Sequence, residues 1–245
     1  MELDVFSLSI PGRRANNEDA VCARPDLGLF IVADGMGGYD GGEVASALAV
    51  DAVHTLVGRT AGDRDVTWPY RLDPTVSLVE NELLVATRLA NDQIAARRAG
   101  HLEQMGSTVV VLHLVDGHAV FAHVGDSRLY RLRGNALAQL TTDHSLLAEM
   151  EASGLTPGPG FPWKHVVTRA LGTHAGHADV ATAPVARGDV FLLCTDGLTE
   201  ALDEEAIARV LGASRTAEAA CRQLVERAFT EGSRDNITAI VVRVI

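Results

Sequence analysis

The sequence predicts an α+β domain of layered α/β/β/α type. Three observations point there: short β-branched runs spread along the chain, an Asp116-Gly117 pair marking a tight hairpin between two of them, and helical periodicity confined to two paired blocks. The runs span 5–10, 29–33, 107–115, 118–124, 128–133, 190–194 and 237–245, most of them bounded by Gly, Asp or Asn. Gly134-Asn135 marks a second hairpin, so the sheets are at least partly antiparallel. In the first helical block, Val44, Leu48, Ala52 and Leu56 form an i, i+4 stripe. A segment over 74–99 places Val76, Val79, Leu83, Ala90 and Ile94 on a similar face. Two helices over 203–211 and 216–229 form the second block, each with acidic residues in its first turn, where the helix dipole favours them. The stretch 59–72 reads as a connecting loop, and 154–165 is richer still in Gly and Pro. A Rossmann arrangement lacks its fingerprint. Gly35, Gly37 and Gly38 follow a strand without fitting G-x-G-x-x-G, and an acidic residue stands where pyrophosphate would be repelled.

Composition narrows the function. The chain has 245 residues, 47% of them hydrophobic, enough for a folded core, and 32 acidic against 21 basic side chains give a formal net charge of -11. Such a chain has no broad basic field with which to release phosphate counterions, which excludes a general binder of nucleic acid or of anionic membranes. No basic region precedes an apolar stretch at the N-terminus, and no apolar run approaches the roughly 18 residues of a spanning helix, so a soluble cytoplasmic protein is expected. Cys22, Cys194 and Cys221 are odd in number and far apart, which fits neither a disulfide framework nor zinc-ligand spacing. With no composition shift along it, residues 1–245 read as one domain, expected to be monomeric.

The informative feature is where particular acids fall. Asp34-Gly35 follows the apolar run 29–33, Asp196-Gly197 follows 190–195, Gly125-Asp126 follows a third strand, Asp235-Asn236 precedes the last one, and Glu18-Asp19 introduces residues 20–23. Any one such pair is more often a turn or a solvated surface than a site. Six carboxylates gathered together, however, would repel and raise their pKa values unless a cation compensated them. Oxygen-only ligands point to a hard ion, Mg2+ or Mn2+, at about 2.0–2.2 Å, and the arrangement suits a two-metal centre that activates water for in-line phosphoryl displacement. Glycine after the aspartate is expected to let the backbone turn sharply and to expose its carbonyl as a further ligand. Upstream, Arg13 and Arg14 each offer a planar guanidinium able to grip two phosphate oxygens, and spacing alone does not choose between them.

In order along nearly the whole chain stand Arg14–Asp19 (RANNED), 32–38 (VADGMGG), 106–108 (GST), 125–128 (GDSR), Asp143-His144-Ser145, 167–172 (VTRALG), 195–197 (TDG) and 234–237 (RDNI). With these motifs the sequence resembles the bacterial metal-dependent Ser/Thr protein phosphatases of type 2C. The resemblance implies a central β-sandwich flanked by helix pairs, with metals at one edge. It implies that Asp34 bridges two ions and that the Gly35 carbonyl joins the second. Asp196 and Asp235 would hold the first ion, and Glu18 and Asp19 would act directly or through water. Arg14, five residues before Asp19, would be the phosphate clamp in preference to Arg13. A third, weaker ion would sit on Asp126, shared with Asp196, and Asn236 would orient a metal-bound water. Met36 stands where animal relatives carry a proton-donating histidine, and a thioether donates no proton, so the acid is expected to be a metal-bound water. Of the nine histidines only His144, beside Asp143, stands out; the others read as surface or packing residues. Residues 144–165 match the family's flap, where Gly158, Pro159, Gly160 and Pro162 suggest mobility and where Trp163 and Lys164 could touch a phosphopeptide or Trp163 could anchor the loop on the core.

The expected reaction is hydrolysis of phosphoserine and phosphothreonine on proteins, opposing bacterial Ser/Thr kinases. There is no G-x-S-x-G and no cysteine in a glycine-rich loop ending in arginine, so water is the nucleophile by elimination. A catalytically silent relative that binds phosphoproteins as a regulatory module is the alternative, against which the presence of all six carboxylates speaks. A third reading keeps the chemistry and changes the substrate to a small phosphomonoester or an anti-sigma-type regulator.

Overall fold

The computed structural model describes residues 1–37, 41–62, 66–158, 161–163 and 165–245. Ten of its strands form two antiparallel sheets. In the first, β1 (Leu3–Ile10), β11 (Ile237–Val244), β10 (Val190–Cys194), β7 (Arg128–Arg133) and β8 (Ala136–Gln139) lie in that order. In the second the order is β2 (Asp19–Arg24), β3 (Leu29–Met36), β5 (Val109–Val115), β6 (His118–Val124) and β9 (Asp179–Pro184), with the short β4 (Gly106–Ser107) pairing the end of β3. Helices α1 (Gly41–Gly62) and α2 (Leu78–Arg97) cover the second sheet, and α5 (Glu204–Ala213) and α6 (Ala217–Thr230) cover the first.

Period-two alternation explains why the central strands β3, β5 and β10 are apolar over most of their length. Each sheet is buried on both faces, so successive residues of one strand enter different cores. On β3, Phe30 and Val32 point between the sheets with Val110, Leu112, Phe191 and Ile240. Leu29, Ile31 and Ala33 point the other way, against Ala49, Val53, Leu83 and Ile94 of the helices. The small alanines of the helices let them lie close on the sheet, as the 4% aromatic content requires of an aliphatic core.

The expected layers are all present, and the strands over 118–124, 128–133 and 190–194 have the expected bounds. Asp116 (φ 50°) and Gly117 (φ 74°) form the anticipated left-handed turn, and Gly134-Asn135 joins β7 to β8. Four details differ. The run 107–115 breaks at Thr108, whose backbone N–H turns to the Asp34 carbonyl. Helix α1 continues to Gly62 through the start of the expected loop, and α2 begins only at Leu78 because Ser77 and Glu80 close a capping box there. The edge strands β8 and β9, short and alanine-rich, carry no β-branched run and escape the pattern. The flap region contains a helix, α3 (Leu146–Ala152), capped by Ser145. Gly38, Pro159, Gly160 and Lys164 lie outside the described residues. Among the described residues no helix is long and apolar enough to cross a membrane.

Phe191 is wholly buried between the sheets, so Phe191→Ala is expected to cost about 3–5 kcal/mol of unfolding free energy, read from the urea midpoint at unchanged m-value.

Candidate metal centre

One edge of the sandwich gathers the acids. Antiparallel register sets Asp19 of β2 directly opposite Asp34 of β3, where like charges destabilise a sheet. Asp235 lies just before β11, and Asp196 opens the short helix α4 (Asp196–Thr199) where β10 ends, two strands that neighbour each other in the other sheet. Asp126 follows from the turn between β6 and β7. Glu18 precedes β2, its side chain lying against Gly42.

The glycines beside these aspartates serve close approach, and the expected sharp turn is absent. Strand β3 runs through Asp34 and Gly35 to Met36, and Gly197 lies inside α4. A Cβ on Gly35 would stand 2.0 Å from the Gly42 carbonyl oxygen and 2.6 Å from that of Glu18. One on Gly197 would stand 1.9 Å from the Asn236 carbonyl oxygen. Glycine at these two positions lets separate backbones meet at the acidic edge.

Buried hydrogen bonds hold the aspartate backbones. Thr108 Oγ1 accepts the Asp34 N–H at 3.0 Å, and the Asp34 carbonyl accepts from the Thr108 N–H at 2.8 Å and from Ser107 Oγ at 3.0 Å. Thr195 Oγ1 donates to Asp19 Oδ2 at 3.0 Å while accepting the Thr238 N–H at 3.1 Å. Ser107, Thr108 and Thr195 carry no chemistry, which is why only the motif matches over 106–108 and 195–197, and no chemical argument, single them out.

Asn236 is committed to the chain. Its amide hydrogens go to the carbonyls of Pro11 and Asn16 at 3.0 and 2.8 Å, and its Oδ1 accepts the Glu18 N–H at 2.8 Å. It thus ties the loop bearing Arg14, Glu18 and Asp19 to the start of β11. Arg14 comes to the same edge: Nη2 donates to Asp235 Oδ2 at 2.7 Å and Nε to the Arg234 carbonyl at 3.2 Å, with the side chain 55% exposed. Arg13 instead lies over the Phe229 ring, 5.8 Å from its centroid.

Electrostatics show what this assembly lacks. Burial, then the charges of Asp19, Asp196, Asp235 and Asp126, push Asp34 well above the usual carboxylate range. Burial also drives Asp196 up to about 8, Asp19 to about 7 and Asp126 to about 6, and neighbouring acids add to each shift. Asp19 Oδ1 and Asp196 Oδ1 are buried with no hydrogen-bond partner. Orphaned carboxylate oxygens in an oxygen-rich cluster without cysteine fit a hard divalent cation.

Two histidines lie at the site, the one that stood out in the sequence and one that did not. His144 is buried and stacked on His123 with centroids 4.6 Å apart. Its Nδ1 accepts the Gly125 N–H at 3.1 Å, which leaves Nε2–H to donate to Asp179 at 3.1 Å, so it anchors the Asp126 turn from behind. His165, read as a surface or packing residue, reaches the site. Its Nδ1 lies 2.9 Å from Glu200 Oε1, and His165, Asp196 and Glu200 each place a ligand atom within 4.8 Å of the others. The signal available for Glu200 was its position four residues after Asp196; His165, at the far end of a flap without periodicity, left none. These residues line a cleft of about 180 Å3 with Asp126, Arg128 and Asp143. Trp163 is 58% exposed and meets Phe161 edge to face at 5.7 Å, so it does not anchor the flap on the core.

The sequence pattern of the family described as protein phosphatase 2C matches residues 12–228. The serine/threonine phosphatase stp of Listeria monocytogenes is 33% identical over 222 residues, covering 87% of this chain and 83% of that protein. The serine/threonine protein phosphatase PstP of Mycobacterium tuberculosis is 35% identical over 237 residues, 95% of this chain but 43% of that longer protein. A crystal structure of the PstP catalytic domain with two manganese ions superimposes with a TM-score of 0.83 at 32% identity, covering 99% of this chain and 98% of that one. The chain belongs to the protein phosphatase 2C family. It is a serine/threonine protein phosphatase dependent on Mn2+ or Mg2+.

The raised carboxyl pKa values fix the pH response of the metal-free protein. A carboxyl whose folded pKa exceeds its unfolded value near 4 imposes a penalty that is absent below that pH and complete above the folded pKa. With the shifts to about 6, 7 and 8, chelated protein is expected to melt at a higher temperature at pH 6 than at pH 8. Saturating Mn2+ should shrink or invert the difference, because cation binding favours the ionised acids. Thermal unfolding followed by circular dichroism checks both; a chelated melting temperature that rises with pH contradicts the account.

Proposed function

We propose that Asp34, Asp196 and Asp235, with Glu18, Asp19 and the Gly35 carbonyl, hold two divalent ions at this edge and that Arg14 orients the phosphate of a phosphoserine or phosphothreonine above them. The observation that carries this reading is the convergence of these acids from both sheets, with buried oxygens of Asp19 and Asp196 left unpartnered. When bound, the ions supply Lewis-acid activation of the attacking water and charge compensation for the transferring phosphoryl group. The chain's own residues do the positioning. Thr108 and Ser107 lock the Asp34 backbone, and Asn236 holds the loop of Glu18 and Asp19 and would also orient a metal-bound water. Arg14 is exposed enough to exchange its bond to Asp235 for phosphate oxygens, and its planar fork suits a bidentate grip. Asp126 and Asp196, with Glu200 and His165 across the same cleft, would take a third ion.

Residues 1–245 act in this reading as one monomeric catalytic domain in the bacterial cytoplasm, removing phosphate placed by Ser/Thr kinases. The exposed Trp163 on the flap offers a contact for the substrate protein. A silent binding module of the same fold is not favoured.

Turnover of p-nitrophenyl phosphate and of a phosphothreonine peptide tests the assignment. Chelator should abolish it, and Asp196→Asn should lower kcat at least ~100-fold, since even loss of a partner behind a metal ligand costs ~10–100-fold. Arg14→Ala should lower kcat/KM by roughly 10²–10³, as for the loss of one charge-stabilising donor, while changing stability by less than ~1 kcal/mol because its ion pair is exposed. Metal-independent turnover or an unaffected Asp196→Asn rejects the mechanism.

Met36 has no proton to give the departing oxygen, and we read the donor as water. His165 is the histidine nearest the acids through Glu200, so the kcat profile of His165→Ala should keep the alkaline arm of the wild type. Loss of that arm makes His165 the acid instead.

A further inference from the structure

At the end of β3 away from Asp34, α1, α2 and β5 border a half-open cavity of about 550 Å3, a size typical of small-molecule sites. Its walls are apolar, with Leu27, Val66, Trp68, Leu78, Val79 and Val115. Its floor is not. The row of β5 side chains that faces the helices runs Val109, Val111 and then His113, and α2 sets Glu82 against that histidine. Their side chains are about nine-tenths buried, at 11% and 9% exposure.

The floor is incompletely satisfied. The Thr60 hydroxyl donates to Glu82 Oε1. Glu82 Oε2 stands 3.3 Å from His113 Nδ1, but the two are not aligned for a hydrogen bond, and Nδ1 has no partner. Asp26 at the rim is already held by Arg24 at 2.9 and 2.7 Å, and no Lys or Arg lines the cavity among the described residues. A buried acid and imidazole nitrogen that open onto an apolar cavity cost stability unless a guest completes them.

We propose that this cavity binds a small monocationic amine carrying a flat apolar body. The ammonium donates to Glu82 Oε2 and to His113 Nδ1, and the body packs on Trp68, Val79 and Val115. Trp68 can add a cation–π contact. A carboxylate or phosphate guest is repelled by Glu82, and a neutral alcohol leaves the acid's charge uncompensated. The cavity shares no residue with the acidic edge, so the proposal is independent of the phosphatase assignment.

Phenethylamine, with 2-phenylethanol and phenylacetate as matched neutral and anionic controls, provides the probe. Trp163→Phe leaves Trp68 as the sole tryptophan of the two in the chain. Titration should give a saturable change in Trp68 emission with the same Kd in chelator and in Mn2+. Binding should weaken at least ~10-fold for 2-phenylethanol and in Glu82→Gln, which keeps an acceptor for Thr60, and should disappear for phenylacetate. Calorimetry on Val79→Phe, which narrows the cavity and leaves the floor intact, should show clearly weakened binding. Absence of saturation, equal affinity for the alcohol, an unchanged Kd in folded Glu82→Gln, or undiminished binding to Val79→Phe each overturns the proposal.

Discussion

Mutual repulsion among recessed carboxylates is the term to which the rest of this structure responds. Asp19 and Asp34 stand directly opposite on neighbouring strands, and Asp196, Asp235 and Asp126 add their charges from the facing sheet and the β6–β7 turn. Withdrawal from water enlarges that repulsion, because a low dielectric strengthens every charge pair while removing the solvation that would offset it. A fold optimised for stability alone would not place them so. Two ions held there, as proposed, would offset the repulsion and present cationic centres to a phosphate dianion, so the same feature that weakens the metal-free protein would suit the loaded one to its substrate class.

The supporting contacts make sense as a means of holding those acids against their own repulsion. Thr108, Ser107 and Asn236 each fix a backbone group beside a carboxylate, and Thr195 bonds the Asp19 carboxylate itself. Gly35 lets the backbones at Glu18, Gly35 and Gly42 meet, and Gly197 does the same for those at Gly197 and Asn236. His144 does the corresponding work for the Asp126 turn through the Gly125 N–H, and its tautomer follows from that bond. The flanking sheets and helices supply rigidity: because each strand is locked into two cores at once, a shift of one residue in register would misplace apolar side chains on both faces.

How much of this was legible in the sequence depended on whether a residue's own chemistry marked it. The layers could be read because apolar runs and i, i+4 stripes are direct consequences of burial, and the hairpin at Asp116-Gly117 because positive φ leaves few choices of residue. The acids could be read because charge at the ends of apolar strands is anomalous. The short, alanine-rich edge strands β8 and β9 could not, since edge strands need no β-branched pattern when one face meets solvent. His165 could not either, because its place depends on how an aperiodic flap folds back onto Glu200. The glycines after Asp34 and Asp196 suggested turning, whereas three-dimensional crowding is what demands them, and crowding by a distant segment leaves no local trace.

Helix α1 shows how the same packing rule yields two different ends. At its N-terminus, Gly42 approaches Glu18 and the Gly35 carbonyl, and Ser46 Oγ donates to the Glu18 carbonyl at 2.6 Å, so the helix braces the acidic edge by backbone contact. At its C-terminus, Thr60 and Ala61 stand back from the sheet, and the space is closed below by Glu82 and His113. Small residues allow close approach at one end, and polar ones keep a gap at the other. Filling the second end with an apolar pair would commonly be neutral or stabilising, so a buried acid and histidine there carry a cost that packing alone does not explain. Both ends therefore present unsatisfied polar atoms to a space that a cation can occupy, a divalent one among crowded oxygens and a monovalent organic one between an acid and an imidazole.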